Sequence, residues 1–253
     1  MNNINNKTLI YIPSKGRADL FFQRGTFRWL KEITDKVDYI VTLEENDIPE
    51  YLNQFPNLII LRLTESDKGI SYAHSKVLEY AKDKGYKYIF KHDDDIRSWG
   101  SIDRKKTYKN AHIEFLRILK HCESLFEQYS QLDGISFNYS NEQRSTKVIE
   151  RVNARFQTNY MVKVESWHVN VDVMSEDFYA TAMLFKNGGK IIRYGLTSFD
   201  STDPSRNMGQ NKGGLQLFDR KELALKDLEI FKQKGIYKGH RIKEVSPFIE
   251  PIL

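Results

Sequence analysis

Three aspartates, Asp93, Asp94 and Asp95, follow one another directly after an apolar run at 86–91 (YKYIFK). Adjacent carboxylates repel, and the pile-up costs stability unless water or a cation relieves it. On an extended chain Asp93 and Asp95 point to one side and Asp94 to the other. Carboxylates so placed suit a divalent cation that prefers oxygen, Mg2+ or Mn2+. Such a cation bridges them to the phosphates of a diphosphate ligand. The competing reading is a solvated strand-to-loop turn or a helix cap. Placement at the end of a strand that itself follows a helix weighs against it.

The elements that position the triplet alternate between strand and helix. Residues 7–13 (KTLIYIP) are an apolar, β-branched run stopped by proline, the pattern of a buried strand. A turn at 14–17 leads to a helix at 20–34. A strand is expected at 38–43, a short helix at 48–54 and a third strand at 58–63. Residues 71–84 carry Ala73, Val77, Leu78 and Ala81 at the spacing of one helix face, with Gly85 as C-cap. The fourth strand, 86–91, runs into the triplet. This order implies parallel strands with crossover helices. In open α/β sheets, ligands sit beyond the carboxyl ends of the strands. Segments 13–17, 44–47 and 92–96 lie at such ends and are therefore expected to converge.

The second half is less regular. A long helix is expected at 111–132, with Ile113, Leu116, Leu119, Phe126 and Tyr129 near one stripe. Strands are expected at 134–139, at 162–173 and at 191–194. A helix at 175–187, opening on Glu176-Asp177, closes at Gly188-Gly189. Residues 200–214 are polar and glycine-rich, a length that suits a lid, with Arg206, Asn207 and Lys212 as candidate phosphate contacts. A last helix is expected at 221–234.

The chain of 253 residues, 40% hydrophobic, is large enough for a sizeable core and suits one α/β domain. No run approaches the length of a membrane span, and the first residues lack the pattern of a signal peptide. The lone cysteine, Cys122, lies in an apolar-periodic stretch and reads as a buried, inert thiol, which fits a cytosolic location. The net charge of +5 is a mild excess, concentrated at 97–109 and 144–155. It permits a polyanionic partner without requiring one.

The acidic triplet after a central strand resembles the DxD motif of GT-A glycosyltransferases. Two further stretches support the resemblance. Lys68-Gly69-Ile70-Ser71-Tyr72-Ala73-His74-Ser75 is similar to the start of a family 2 helix, with His74-Ser75 where an Arg-Asn pair is common. Ser175-Glu176-Asp177-Phe178 through Gly189 resembles that family's "ED" helix. The opening IPSKGRA, the HDDDI motif and the overall size resemble the TET-associated glycosyltransferases of bacteriophages, enzymes associated with hydroxymethyl-pyrimidines in DNA.

The resemblance implies a GT-A-like α/β fold with a Rossmann-type nucleotide-binding sheet and an elaborated C-terminal acceptor half. It implies one domain over 1–253, divided into a nucleotide-sugar half at 1–98 and an acceptor half at 99–253. Asp93 and Asp95 would hold Mn2+ or Mg2+, with Asp94 beside the diphosphate. Pro13, Ser14 and Arg17 would meet the base or diphosphate of a UDP-sugar. Glu44 or Glu45 would hold the uracil or ribose, and Lys68 and Ser71 would line the nucleoside pocket. The acceptor hydroxyl needs a base; Asp177 is the first choice and Glu176 the second, with helix capping as the competing reading. His240 or His168 would add a metal ligand, His240 being favoured. Trp99, Trp167 and Tyr179 are candidates to stack on a base, with core packing as the alternative.

Three functions compete. The first is transfer of a sugar to a hydroxymethyl-pyrimidine of DNA, in the host cytoplasm if the chain is phage-encoded. The second is transfer to a saccharide, lipid-carrier or protein hydroxyl. The third is a nucleotidyltransferase or nucleic-acid-binding protein, disfavoured by too few glycines at 14–17. The residues leave the sugar and the oligomeric state open.

Overall fold

The structure is a computed structural model that describes residues 7–101, 110–139, 147–201 and 220–236. The opening strands are β1 (Thr8–Pro13), β2 (Asp38–Glu44), β3 (Ile60–Leu63) and β4 (Tyr88–Lys91). They are followed by β5 (Ile96–Ser101), β6 (Leu132–Tyr139), β7 (Ile149–Val152), β8 (Tyr160–Lys163) and β9 (Lys190–Ser201). The helices are α1 (Phe27–Leu30), α2 (Ile48–Gln54), α3 (Ile70–Lys84), α4 (Ala111–Gln128), α5 (Glu176–Lys186) and α6 (Arg220–Gln233).

The described strands form one sheet in the order β3-β2-β1-β4-β8-β6-β9-β5, with β7 paired to β9. Strands β3, β2, β1 and β4 are mutually parallel, as the alternating order requires. Past β4 the sheet turns antiparallel through β8. Ile10 and Ile12 of β1 face a core built with α1, α2 and α4, while Leu9 and Tyr11 face a second core with α3 and α5. Helices on both faces explain why these strands read as continuous apolar runs rather than alternating ones.

Several expectations are corrected. The helix at 20–34 is broken into a π-turn (Leu20–Arg24), α1 and a 3-10 turn (Lys31–Ile33). The break falls at Gly25, where an added Cβ would lie 2.2 Å from the carbonyl oxygen of Asp94. The strand expected at 162–173 ends at Lys163, followed by a 3-10 turn (Val164–Ser166). The strand expected at 191–194 is the twelve-residue β9. Strands β5 and β7 were not expected. Helix α4 ends at Gln128, and its buried stripe runs through Phe115, Ile118, Cys122 and Leu125, leaving Ile113 exposed. Cys122 is a free, buried thiol, as expected.

Candidate active site

The carboxyl ends of β1, β2 and β4 meet around one cavity of about 300 Å³. Its described lining includes Pro13, Ser14 and Arg17 after β1, Glu44 at the end of β2, Asp93 after β4, and Glu176 at the start of α5. Gly69 and Ile70, at the start of α3, line it as well. Gly69 has φ of +80°, a left-handed conformation that favours glycine where the chain enters the helix.

The three aspartates have different partners. Asp94 is almost fully buried. It accepts hydrogen bonds from the Ser14 hydroxyl and from Nη2 of Arg17 at 2.6 Å. Tyr51 of α2 shares a 2.6 Å hydrogen bond with Ser14, so the first turn, α2 and the triplet form one linked network. Asp93 pairs with Lys91, and its backbone N–H donates to Oδ1 of Asn159 at 2.9 Å. Asp95 is pushed up to about 8, first by burial and then by the charges of Asp93 and Asp94. Adjacent carboxylates that raise one another mark a site with surplus negative charge.

The turn carrying these acids is held from behind. Thr26 N–H donates to the Asp94 carbonyl at 2.9 Å, and its hydroxyl donates to the Asp93 carbonyl and accepts from Ile96 N–H at 3.2 Å. Trp99 Nε1 donates to His92 Nε2 at 2.9 Å. That leaves the proton on Nδ1, which donates to the Asp93 carbonyl at 2.8 Å. Burial pushes His92 down to about 4, so the ring is neutral. As the alternation of strand β4 requires, His92 points away from the Asp93 side, into a cage with Trp29, Phe90 and Phe115.

On the other wall, burial and then the Asp177 carboxylate push Glu176 up to about 8. Asp177 is also raised, by burial, and its Oδ1 accepts from Phe178 N–H at 2.8 Å. Of the two, Glu176 lines the cavity. The chain entering α5 is anchored by Asp227 of α6, whose carboxylate accepts from Met174 N–H at 2.9 Å and Ser175 N–H at 2.8 Å.

A family model described as TET-Associated Glycosyltransferase matches residues 8–210. The chain belongs to this family. This TET-associated glycosyltransferase has no match among curated proteins. Among solved structures it is similar to a mycobacterial protein, at a TM-score of 0.52 and 11% identity, over 95% of this chain and 80% of the other. That likeness concerns the fold alone. It is also similar to mannosyl-3-phosphoglycerate synthase from Rubrobacter xylanophilus, at a TM-score of 0.47 and 9% identity, over 96% and 79% of the two chains. For GalNAc-T7, crystallised with UDP, GalNAc and Mn2+, the TM-score is 0.45 at 10% identity, over 77% and 43%. At TM-scores below 0.5 the last two add nothing to the argument.

The TET-associated glycosyltransferase has the expected α/β sheet, parallel over its first four strands, and half of the expected site residues lie together on one cavity wall. Pro13, Ser14, Arg17, Glu44, Asp93 and Glu176 share the cavity wall. Others lie elsewhere. Glu45 pairs with Arg62 at the surface, and Lys68 pairs with Glu65 at the surface. The Ser71 hydroxyl donates to the Val173 carbonyl, so it braces α3 against the chain before α5. His168 bonds Asn187 at the far end of α5, away from the acids. Trp99, Trp167 and Tyr179 are buried in the cores and present no face to a ligand. His240, Arg206, Asn207 and Lys212 lie outside the described residues.

Among the described residues, no three His, Cys, Asp or Glu side chains converge on one point. The carboxylate of Asp93, on the cavity wall, and that of Asp95, two residues on and outside the described lining, are hard oxygen donors. They fit a divalent cation whose remaining ligands come from phosphate oxygens and water. Sequence reasoning passed over Lys15, which bridges Glu44 at 2.7 Å and Asp67 at 2.5 Å on the cavity wall. It also passed over Lys91, Asn159 and Asp227. Lys91 had a signal: a lysine ending an otherwise apolar strand, two residues before Asp93 and therefore on its face.

Proposed function

We propose that this glycosyltransferase moves a sugar from a nucleoside-diphosphate sugar, with UDP the expected carrier, to the hydroxymethyl group of a pyrimidine in DNA. The observation that supports it is one cavity whose wall holds both an acid of the strand-end triplet, Asp93, and a second carboxylate, Glu176, whose pKa is raised to about 8. The first carries cation-binding chemistry and the second proton-transfer chemistry.

In this reading residues 1–98 bind the donor and 99–253 bind the acceptor, within one domain. Lys15, Glu44 and the backbone of Pro13 and Ser14 hold the nucleoside end. Asp93 and Asp95 would hold Mn2+ or Mg2+, and His240, outside the described residues, is the proposed further ligand. When bound, the cation neutralises the charge on the departing diphosphate. Asp94 serves a different purpose: it fixes the turn by taking the Ser14 and Arg17 bonds. Glu176 takes the proton of the acceptor hydroxyl as that oxygen attacks the sugar carbon. Asp177 sets its basicity, because the second negative charge makes Glu176 a stronger base. A carboxylate acting opposite the leaving group inverts the anomeric centre.

The family's association with hydroxymethyl-pyrimidines and the basic stretch at 144–155 favour DNA as acceptor. Within duplex DNA the target base would be flipped out or met through the major groove. The test is to incubate the protein with Mn2+, UDP-sugars and DNA containing hydroxymethylcytosine or hydroxymethyluracil, then digest to nucleosides and weigh them. A nucleoside heavier by one sugar supports the reading. Donor hydrolysis with no adduct on either DNA refutes the acceptor. Asp95→Asn is expected to abolish metal-dependent turnover with the fold intact; full activity in that variant refutes the metal assignment.

A further inference from the structure

Lys91 is 2% exposed, although lysine is seldom fully buried without a partner. It ends β4, and its side chain runs on the face that leads to Asp93. Its ammonium donates to Oδ1 of Asp93 and to the Thr158 carbonyl at 2.6 Å. It does not line the cavity, so it sits behind the wall that Asp93 forms. Buried and ion-paired with Asp93, the ammonium is a cation fixed behind that carboxylate.

The described lining of the cavity includes four carboxylates, Glu44, Asp67, Asp93 and Glu176, and Lys15 is paired with Glu44 and Asp67. Arg17 is committed to Asp94. Lys91 is the resident positive charge behind Asp93. A divalent cation that binds Asp93 must share that carboxylate with an ammonium already bonded to it. Like charges repel at such range, so the lysine weakens cation binding while it fixes the carboxylate that does the binding.

We propose that Lys91 is a positioning residue and resident counter-cation: it holds Asp93 in place for metal and donor, and it competes with the metal for the same carboxylate. This inference rests on the reading of Asp93 as a cation ligand. It goes beyond that reading by assigning a role to a side chain that touches no substrate. The consequence is a trade of cation affinity for geometry, which a merely structural lysine would not produce.

The experiment measures Mn2+ binding by calorimetry on the purified chain, with no donor present, alongside kcat and KM for donor. Wild type and Asp93→Ala come first; equal Mn2+ binding by the two overturns the metal reading itself. Lys91→Met is then expected to bind Mn2+ about tenfold tighter, because a nearby positive charge has gone. It is expected to lose about 100-fold in kcat with little change in KM, because Asp93 is no longer fixed. Lys91→Arg keeps the charge and is expected to stay near wild-type Mn2+ affinity. Lys91→Gln, which retains a donor for Thr158 and Asp93, gives the same affinity reading if Lys91→Met does not fold. Unchanged or weaker Mn2+ binding in the neutral variants, with Asp93-dependent binding present in wild type, overturns the proposal.

Discussion

The guanidinium of Arg17 and the carboxylate of Asp94 meet at 2.6 Å, joining the turn after the first strand to the middle of the acidic triplet seventy-seven residues later. Asp94 is 1% exposed, so its charge has little water to fall back on. Removing one partner of such a pair leaves the other uncompensated, which costs more than the pair contributes net. Arg17→Met is expected to destabilise the chain by about 3 kcal/mol. Ser14→Ala, which removes one neutral donor from the same acid, is expected to cost about 1 kcal/mol. Chemical denaturation of the two variants checks the order; an Arg17 variant as stable as wild type would mean that Asp94 has another counter-charge.

Gly25 supplies a second prediction. Its backbone lies so close to the Asp94 carbonyl that any Cβ must push the acid turn away. Gly25→Ala is expected to keep the sheet, by circular dichroism, while activity falls by about 100-fold through misplaced acids. Activity within twofold of wild type would show that the turn tolerates displacement.

Glu176 sets a pH dependence whose sign can be worked out. A base must be ionised to act, and Glu176 is raised to about 8 from an ordinary 4.5. The rate is therefore expected to climb with pH through about 8 and then level. Asp177→Asn removes a charge that helps to raise Glu176, so the inflection is expected to move down. The stability effect has the opposite sign. Between 4.5 and about 8 the folded chain keeps a proton on Glu176 that the unfolded chain has lost, so this contribution to stability falls as pH rises through that window. A pH–rate profile of wild type against Asp177→Asn, with parallel melts, tests both signs. An inflection unmoved in Asp177→Asn would contradict the assignment.

Asp227 is expected to matter without touching any ligand. Its carboxylate takes the two backbone N–H groups that lead into α5, the work of an N-cap supplied from another helix. Asp227→Ala is expected to cost about 1–2 kcal/mol and to lower turnover by loosening Glu176. Thermal melts and initial rates check it; wild-type rates with a lowered melting temperature would confine Asp227 to stability.

The parallel half of the fold was legible because β1, β2 and β4 are covered on both faces and therefore read as near-continuous apolar runs, while α3 shows one clear stripe. The acid triplet, Arg17, Glu44 and Glu176 were legible for a related reason: they sit at strand and helix ends that such an order must bring together. What was hidden depends on tertiary contact. The break at Gly25 exists only because Asp94 packs against it. Strand β5 begins straight after the triplet with no turn residue to announce it, and β9 continues through Gly195 because β5, β6 and β7 all pair with it. Lys68 and Ser71 match a motif, yet their side chains are taken by Glu65 and Val173. Asn159 and Asp227 act through backbone groups of distant segments, a relationship that leaves no local trace.

The central claim is that the strand-end aspartates hold the cation that receives the donor's phosphates. A crystal grown with UDP and Mn2+ and measured for anomalous scattering at the manganese edge tests it most directly. The account predicts a single strong peak within coordination distance of Asp95 or Asp93, with the uridine running toward Lys15 and Glu44. A manganese and diphosphate bound away from these carboxylates would contradict it.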